Sequence, residues 1–292
     1  MKPDRNQAEA AAVLPDIPSR WQEAAAGHLE TVRRRAVGEA GHWGTWTLFR
    51  KEMHRFLSIA GQTVISPVLT TMLWYLVFGY SLGDRLDEIR GIPYTDFLVP
   101  GLVMMAIITN AFLNSAFSFF IGKVHGTVVD LLISPLRPWQ VMLAYTGASV
   151  IRAVMVGSVI WGVAAAMGAG TTYNIAWTLV FMVLTSFAFA LLGLAIGILA
   201  RDFDHINFIP SFLLLPLTFL GGVFYSVTLL PDPWDRLSLL NPIVHMVNGL
   251  RFGMTGVSDV PVLPGLGIVL FTVLGGIGLV TWLLSTGKGL KP

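Results

Sequence analysis

The sequence contains no cysteine, and this absence excludes disulfide bonds, thiolate nucleophiles and cysteine-based metal sites. Charged residues are also scarce, at 12% of the 292 positions, whereas soluble domains carry roughly 25%. The net charge of +2 gives no indication of a nucleic-acid partner. With 54% hydrophobic residues and a mean hydropathy of +0.69, the composition is typical of a polytopic membrane protein.

Motifs for common chemistries are missing as well. The chain has no GxxxxGK[ST] phosphate loop, so we expect no ATP site of its own, and it has no HExxH motif. Its six histidines are scattered, and no metal site is predicted. No apolar segment carries the series of carboxylates that a proton-coupled carrier usually needs. We therefore expect a protein that is not an enzyme and that takes any energy it uses from elsewhere.

Long apolar segments dominate the rest of the sequence. A helix needs about 20 mostly apolar residues to cross a bilayer. Six segments meet this requirement, near residues 57–79, 98–121, 141–167, 175–199, 206–224 and 262–284. The predicted fold class is therefore an all-α membrane protein with six transmembrane helices.

Lysine and arginine are distributed unevenly between the two sides that six spans create. The side that holds both termini carries 14 of these residues, and the opposite side carries four. Because positively charged loops tend to remain in the cytoplasm, we expect both termini to be cytoplasmic. Residues 1–41 are expected to form a cytoplasmic tail that is disordered or loosely helical.

Two segments on this side have amphipathic patterns. Residues 42–56 place aromatic residues at helical spacing with charged residues between them, which predicts an N-terminal interface helix. It either anchors the chain to the membrane or also contacts a cytoplasmic partner. Residues 123–137 contain a short apolar stripe that Ser134-Pro135 ends, because proline disfavours helical geometry in the residue before it. A helix this short is unstable alone, so it either docks on a partner or lies on the lipid surface.

The segment between the last two predicted spans, residues 226–256, is too polar and too rich in proline to cross a bilayer. Asn241-Pro242 interrupts its apolar sequence, which predicts short helices over residues 237–240 and 243–250. With polar residues among them, these helices are expected to be re-entrant or interfacial.

Arg152 is the one formal charge inside a predicted span. A central arginine costs about 2.5–3.5 kcal/mol on insertion scales. Its side chain either extends to the cytoplasmic interface or lines a hydrated cavity and meets an anionic group.

A series of short stretches, in this order, resembles the permease subunits of ABC-2 type transporters, and within them the YadH-like inner-membrane permeases. The stretches are KEMHRF at 51–56, FLVPGL at 97–102, DLLISP at 130–135, YSVTLLP at 225–231, NPIVH at 241–245 and GLR at 249–251. The resemblance covers about residues 43–290 and implies one ABC-2 transmembrane domain over 42–290, of the type V exporter kind.

The resemblance also implies partners and a location. The chain would be a multi-pass protein of the bacterial inner membrane that forms a homodimer among membrane lipids. It would bind two copies of a cytoplasmic ABC ATPase, which hold the ATP and Mg, while this chain holds no cofactor. The interface helix and the 123–137 segment, as the coupling helix, would face the ATPase. The family often has a pair of glutamates where this chain has Val129-Asp130, so charge pairing with the ATPase would differ.

Three sets of candidate site residues follow. The ATPase-coupling set is Trp46, Arg50, Glu52, Val128, Asp130, Leu131, Leu132, Pro135 and Arg137. The substrate-pathway set is Arg152, Trp74, Tyr75, Met104 and Phe219, whose aromatic and apolar members suggest a hydrophobic or amphipathic cargo. The outer-gate set is Tyr225, Asn241, Pro242, His245 and Arg251.

An exporter permease for a hydrophobic, lipid-like, drug or polysaccharide substrate is the function that the sequence favours. Two other classes stay open. One is a self-powered carrier or channel. The other is an intramembrane enzyme that acts on lipid-linked substrates through His245 or Asp235.

Overall fold

The computed structural model describes residues 43–58, 60–83, 88–134 and 136–289, so the tail predicted at 1–41 lies outside the described residues. The described chain is mostly helical. Its helices are α1 at residues 43–58, α2 Ala60–Gly83, α3 Tyr94–Val124, α4 Thr127–Ile133, α5 Pro138–Ala166, α6 Ile175–Leu199, α7 Phe203–Ile209, α8 Leu215–Phe219, α9 Trp234–Ser238, α10 Pro242–Thr255 and α11 Val262–Thr286. Shorter elements are the antiparallel strands β1 (Glu88–Ile89) and β2 (Ile92–Pro93), a π-helical turn at Pro210–Leu214 and a 3₁₀ turn at Val227–Leu229.

Five of the described helices are long and apolar enough to cross a membrane. They are α2, α3, α5, α6 and α11. Each overlaps one of the predicted spans, and the ends differ by a few residues. The prediction of a mostly helical membrane protein is therefore confirmed.

The segment predicted as a further span, near 206–224, has a more complex structure. It forms an apolar helical stretch of 17 residues, Phe203–Phe219, in which α7 passes through the π-helical turn into α8. Pro216 lacks an N–H group and cannot continue the α-helical hydrogen-bond ladder, which explains why the ladder rearranges just before it. At about 1.5 Å per residue, 17 residues extend roughly 25 Å, which is short for a span.

Helices α3 and α6 form the centre of the bundle. A Cβ atom added at Gly193 of α6 would overlap the backbone carbonyl oxygen of Phe112 in α3, and one added at Gly197 would lie 2.6 Å from the carbonyl oxygen of Ala116. The GxxxG spacing in the sequence therefore brings two backbones into contact. A Cβ atom added at Gly253 of α10 would likewise lie 2.6 Å from the backbone nitrogen of Thr178 in α6.

Burial differs strongly between the long helices. In the most apolar window of α3, 78% of the residues are buried inside this chain, against 11% for α2 and 22% for α11. Helices α2 and α11 therefore turn most of their surface away from the rest of the chain.

The two ends of the bundle are distinct. At one end, which we call the α4 end, α1 packs near the start of α5, and a Cβ atom at Gly44 would meet Leu136. At the other end, which we call the α10 end, the backbone N–H groups of Tyr173 and Asn174 donate to the carbonyls of Met254 and Gly253. The hairpin β1–β2 lies at the α10 end.

We expect Gly193→Ala to lower the free energy of unfolding by about 1–3 kcal/mol, because the added methyl group would push α3 and α6 apart. The measurement is thermal unfolding of the purified protein in detergent. Gly278→Ala in α11 is the matched control, since a Cβ atom there meets nothing within 4 Å. Equal midpoints for the two variants would contradict close packing at Gly193.

Candidate functional site

A cavity of about 510 Å³ lies between α2 and α3, with Arg152 of α5 in its wall. Trp74 also lines it, so two of the residues that the sequence assigned to a substrate pathway lie in the wall of the same cavity. The hydroxyl and amide residues of the wall were not predicted: Gln62, Thr63, Ser66, Thr70, Thr71, Thr109 and Asn110. The sequence does carry a pattern that could have predicted them: the hydroxyl and amide residues of α2 recur every three or four positions and therefore share one helix face.

The other predicted pathway residues, Met104, Tyr75 and Phe219, do not line this cavity, and their pathway roles stay predictions. Met104 is fully buried in the core, and Met105 lines the cavity instead, since successive helical residues point about 100° apart. Tyr75 is buried and is not part of the cavity wall. Phe219 does not line the cavity but packs edge-on against Trp74, with ring centroids 6.1 Å apart.

A polar network joins α1, α3 and α5 beside this cavity. The buried carboxylate of Glu52 accepts hydrogen bonds from Arg55 Nε, at 3.1 Å, and from the Ser118 hydroxyl. Asn114 Oδ1 accepts from Arg152 Nη1 at 2.8 Å and from Arg55 Nη2 at 3.4 Å. Of the two interpretations of Arg152, the structure therefore favours a place in a cavity wall over extension to the interface.

The burial of Glu52 corrects one prediction for the interface helix. The sequence pattern placed Glu52 on the polar face, yet its side chain is 4% exposed, whereas Trp46 and Arg50 are exposed. The reason is that Arg55 and Ser118 satisfy the carboxylate, which offsets the cost of removing it from water. Helix α1 is thus attached to α3 through a charged contact as well as through apolar ones.

Helix α4 connects α3 to α5 and occupies residues 127–133 of the predicted 123–137 segment. Gly126 precedes it with a φ of 75°, a left-handed conformation that favours glycine. Val128 is buried, Leu131 is half-buried, and both line a small cavity with Phe119 and Val141.

Asp130, by contrast, is exposed on α4. Val128 therefore holds α4 onto the bundle, whereas Asp130 is accessible from outside it, and the ATPase-coupling roles of both residues stay predictions. Arg137 caps α5, where its backbone N–H donates to Gln140 Oε1 at 2.7 Å. Leu132 and Pro135 fall outside the described side chains.

At the α10 end, a buried ion pair holds the segment between α8 and α11 in place. Arg251 Nη1 lies 3.3 Å from Asp259 Oδ2, and each side chain is 1% exposed. The Arg251 guanidinium also donates to the Gly222 carbonyl at 2.7 Å and lies 3.7 Å from the ring centre of Phe97. Burial lowers the pKa of Arg251 to about 10, and the Asp259 carboxylate opposes this shift, so Arg251 is charged at neutral pH.

Two further groups complete this arrangement around Asp259. Asp259 Oδ1 accepts from the Ser226 hydroxyl at 2.7 Å and lies 3.3 Å from Arg90 Nε in the β1–β2 turn. The sequence singled out Arg251 but neither Arg90 nor Asp259. Arg251 and Asp259 are eight positions apart, but Arg90 is distant from both in the chain, so no sequence spacing indicated that all three charges meet.

The other predicted gate residues have structural contacts. Asn241 caps α10 by accepting from the Ile243 N–H at 3.0 Å, and Pro242 occupies the first turn, where its missing N–H costs nothing. His245 Nε2 lies 2.9 Å from the Leu239 carbonyl oxygen, and the Tyr225 hydroxyl donates to the Leu220 carbonyl at 3.3 Å.

The two predicted short helices are present, although their bounds are Trp234–Ser238 and Pro242–Thr255. Within the described residues, no group of three or more histidine, aspartate or glutamate side chains is placed to hold a metal ion.

Known proteins resemble this chain over most of its length. Residues 44–255 match the ABC-2 type transporter family. The inner membrane transport permease YadH of Escherichia coli (strain K12) is 39% identical over 246 residues, which cover 84% of this chain and 96% of that protein. Nodulation protein J of Sinorhizobium fredii is 26% identical over 76% of this chain and 85% of that protein. Nodulation protein J of Rhizobium leguminosarum bv. trifolii is 26% identical over 72% and 80% of the respective chains.

Glu52→Ala should destabilise the protein by about 1–3 kcal/mol, because it leaves the Arg55 Nε–H and the Ser118 hydroxyl without their shared acceptor. Thermal unfolding in detergent measures the effect. The control is Arg50→Ala on the exposed side of the same helix, which should change the midpoint little. A midpoint for Glu52→Ala that equals the control would show that the carboxylate contributes nothing.

Arg251→Met should loosen the segment between α8 and α11, because it breaks a buried pair, a change that typically costs about 3–5 kcal/mol. Hydrogen–deuterium exchange should rise over residues 221–260 and stay low in α3 and α6. Arg236→Met is the control, since the Arg236–Asp232 pair is 80% and 76% exposed and contributes little. Unchanged exchange in Arg251→Met would contradict the structural role of this pair.

Proposed function

The chain belongs to the ABC-2 type transporter family, and we propose that it is the permease subunit of an exporter powered by a separate cytoplasmic ATPase. The observation that carries this proposal is the placement of α4. A seven-residue helix is too short to be stable in isolation, yet it sits between two long apolar helices with Asp130 exposed and Val128 buried. This is the form expected of a helix that transmits force from a partner.

The packing of α4 supports a coupling role. Val128 and Leu131 share a small cavity with Phe119 of α3 and Val141 of α5. A partner that pulls or pushes on the Asp130 side therefore acts on both helices at once. In this proposal the α4 end is cytoplasmic, with both termini on that side. Two copies of the ATPase would supply ATP and Mg, and Trp46 and Arg50 on α1 would extend the contact surface.

The exposed surface of α2 supports a homodimer. Only 11% of its most apolar window is buried within this chain, so the helix must face lipid or a second copy. We propose that two copies meet through α2 and through the Phe203–Phe219 stretch, which would serve as the sixth span. Helices α9 and α10 would then be the outer re-entrant pair.

The cargo would pass along the cavity between α2 and α3 and leave past the α10 end. Trp74, Phe78, Phe219 and Phe224 form an aromatic cluster where α2 meets the residues after α8, with Phe78 and Phe224 at 4.6 Å. Together with Arg251 and its partners, this cluster would close the exit. A hydrophobic, lipid-like, drug or polysaccharide cargo is consistent with such a wall, and the relatives are named as permeases or nodulation proteins without a stated substrate.

The test is purification of this chain after co-expression with a cytoplasmic ABC ATPase of the same organism, followed by an ATP hydrolysis assay in nanodiscs. We expect a stable complex, and we expect Asp130→Lys to lower co-purification or hydrolysis at least about threefold, because one charge contact of roughly 1 kcal/mol would turn repulsive. Glu88→Lys is the control: it reverses an exposed acidic residue at the α10 end.

Two outcomes would overturn the proposal. One is the absence of any complex with the ATPase, and the other is transport that proceeds without nucleotide. The second outcome would favour a self-powered carrier, in which the polar network around Glu52 and Arg152 would be the first place to look for ion coupling.

A further inference from the structure

The charges beside the α2–α3 cavity do not balance. Glu52 carries one negative charge and is paired with Arg55 at 3.1 Å. Arg152 has no carboxylate partner among the described residues, and its charged group is held by the amide oxygen of Asn114 at 2.8 Å. An amide oxygen carries only a partial charge, so the cluster retains a net charge of +1.

Asn114 cannot serve Arg152 fully, because its one amide oxygen is shared. Arg55 Nη2 donates to the same Oδ1 at 3.4 Å, while Asn114 Nδ2 donates to the Ser149 hydroxyl oxygen at 2.8 Å. The Nε of Arg152 is buried and has no hydrogen-bond partner in the described part of the chain. A guanidinium in this state can still donate a strong charge-assisted hydrogen bond to an anion.

The unbalanced charge lies deep in the bundle. Arg152 is 14 residues from Pro138, the first residue of α5, which corresponds to about 21 Å along the helix. At that depth a lone charge is costly, and natural proteins keep intramembrane charges where they meet a partner or a functional ligand. The cost would be offset by an anion that enters the cavity.

The cavity is long and its two ends differ. Its α2 wall runs from Gln62 to Trp74, about 18 Å by helical rise. Arg152 lies on one side, whereas Trp74, Leu102 and Met105 form an apolar wall towards the α10 end. Hydroxyl groups of Ser66 and Thr70 lie between them on α2. The wall is complementary to a molecule with one acidic group and an apolar body.

We propose that this cavity binds an amphipathic anion, whose single acidic group contacts Arg152 and whose apolar body extends towards Trp74. The assignment of this molecule as the cargo rests on the proposed function, but its binding does not require the ATPase. The acidic group could belong to a bilayer lipid or to a soluble amphiphile, and the chemistry recognised at Arg152 is the same in both cases.

The experiment compares lysophosphatidylglycerol with lysophosphatidylcholine of the same acyl chain, because their headgroups carry net charges of −1 and 0. Binding to the purified permease in maltoside detergent is measured by titration calorimetry. We expect the anionic lysolipid to bind at least about tenfold more tightly, as one charge-assisted hydrogen bond can provide. Equal affinities would overturn the proposal.

Arg152→Gln should abolish this preference, and Arg152→Lys should retain part of it. Arg236→Gln is the matched control: it removes one positive charge from an exposed site at the α10 end and should leave the preference intact. A similar loss in both variants would show a general charge effect and would overturn the site.

Should Arg152→Gln fail to fold, Thr70→Trp provides a second test, because it fills the cavity from an exposed α2 position without altering Arg152. This variant should lose binding of the anionic lysolipid, and full binding would place the ligand elsewhere.

Two further arms identify the source of the acidic group. Inorganic phosphate should not compete at millimolar concentration, and effective competition would overturn the requirement for an apolar body. Nanodiscs that contain phosphatidylglycerol should weaken lysolipid binding if bilayer lipids reach the cavity, whereas unchanged binding would assign a soluble amphiphile. If the anionic lysolipid is preferred but no ATPase complex forms, only the exporter proposal is overturned. If an active ATPase complex forms but the anionic lysolipid is not preferred, only this inference is overturned.

Discussion

The cost of placing charge in a low-dielectric interior governs the arrangement of this protein. A buried ionised group must be paired, hydrogen-bonded or open to water, because the alternative costs several kcal/mol. At the α10 end this requirement is met within the chain, since Asp259 lies between Arg251 and Arg90. Beside the α2–α3 cavity it is met only in part, since Glu52 neutralises one of two arginines. The two clusters carry the same net charge, but one is enclosed by structure and the other faces a cavity.

This difference assigns different roles to the two clusters. The α10-end cluster joins the β1–β2 turn to residues from Gly222 to Asp259, which are distant in sequence, and thereby closes one end of the bundle. The inner cluster joins α1, at the end that carries α4, to the cavity wall through Asn114. Any change in the charge at Arg152 alters the competition for Asn114 Oδ1 and so reaches Arg55 on α1. Cavity occupancy and the position of the interface helix are in this way connected by a short set of contacts.

The sequence predicted the long helices well and the three-dimensional clusters poorly, for physical reasons. A span needs a continuous apolar segment, so composition alone located α2, α3, α5, α6 and α11. The Phe203–Phe219 stretch was harder, because Pro216 changes the helix geometry without changing hydropathy. Glu52 was assigned to the wrong face since its buried partner Ser118 lies 66 positions away. Asp259 and Arg90 had no local signal at all. Arg152 was found because a charge within an apolar run is visible in one dimension, but its surroundings were not.

The close contact of α3 with α6 limits how the cavity can change its shape. With the backbones touching at Gly193 and Gly197, α3 cannot move towards or away from α6 without opening a gap in the core. The opposite wall is α2, which is far less buried and has no comparable glycine contact with α3 in the described chain. In the proposed coupling mechanism, force that arrives at α4 would act on α3 and α5 through Val128 and Leu131. Because α3 is held by α6, the motion that alters the cavity would be a displacement of these helices together relative to α2. Under this proposal, the hydroxyl-lined face of α2 is the surface whose distance from Arg152 would change with the state of the transporter.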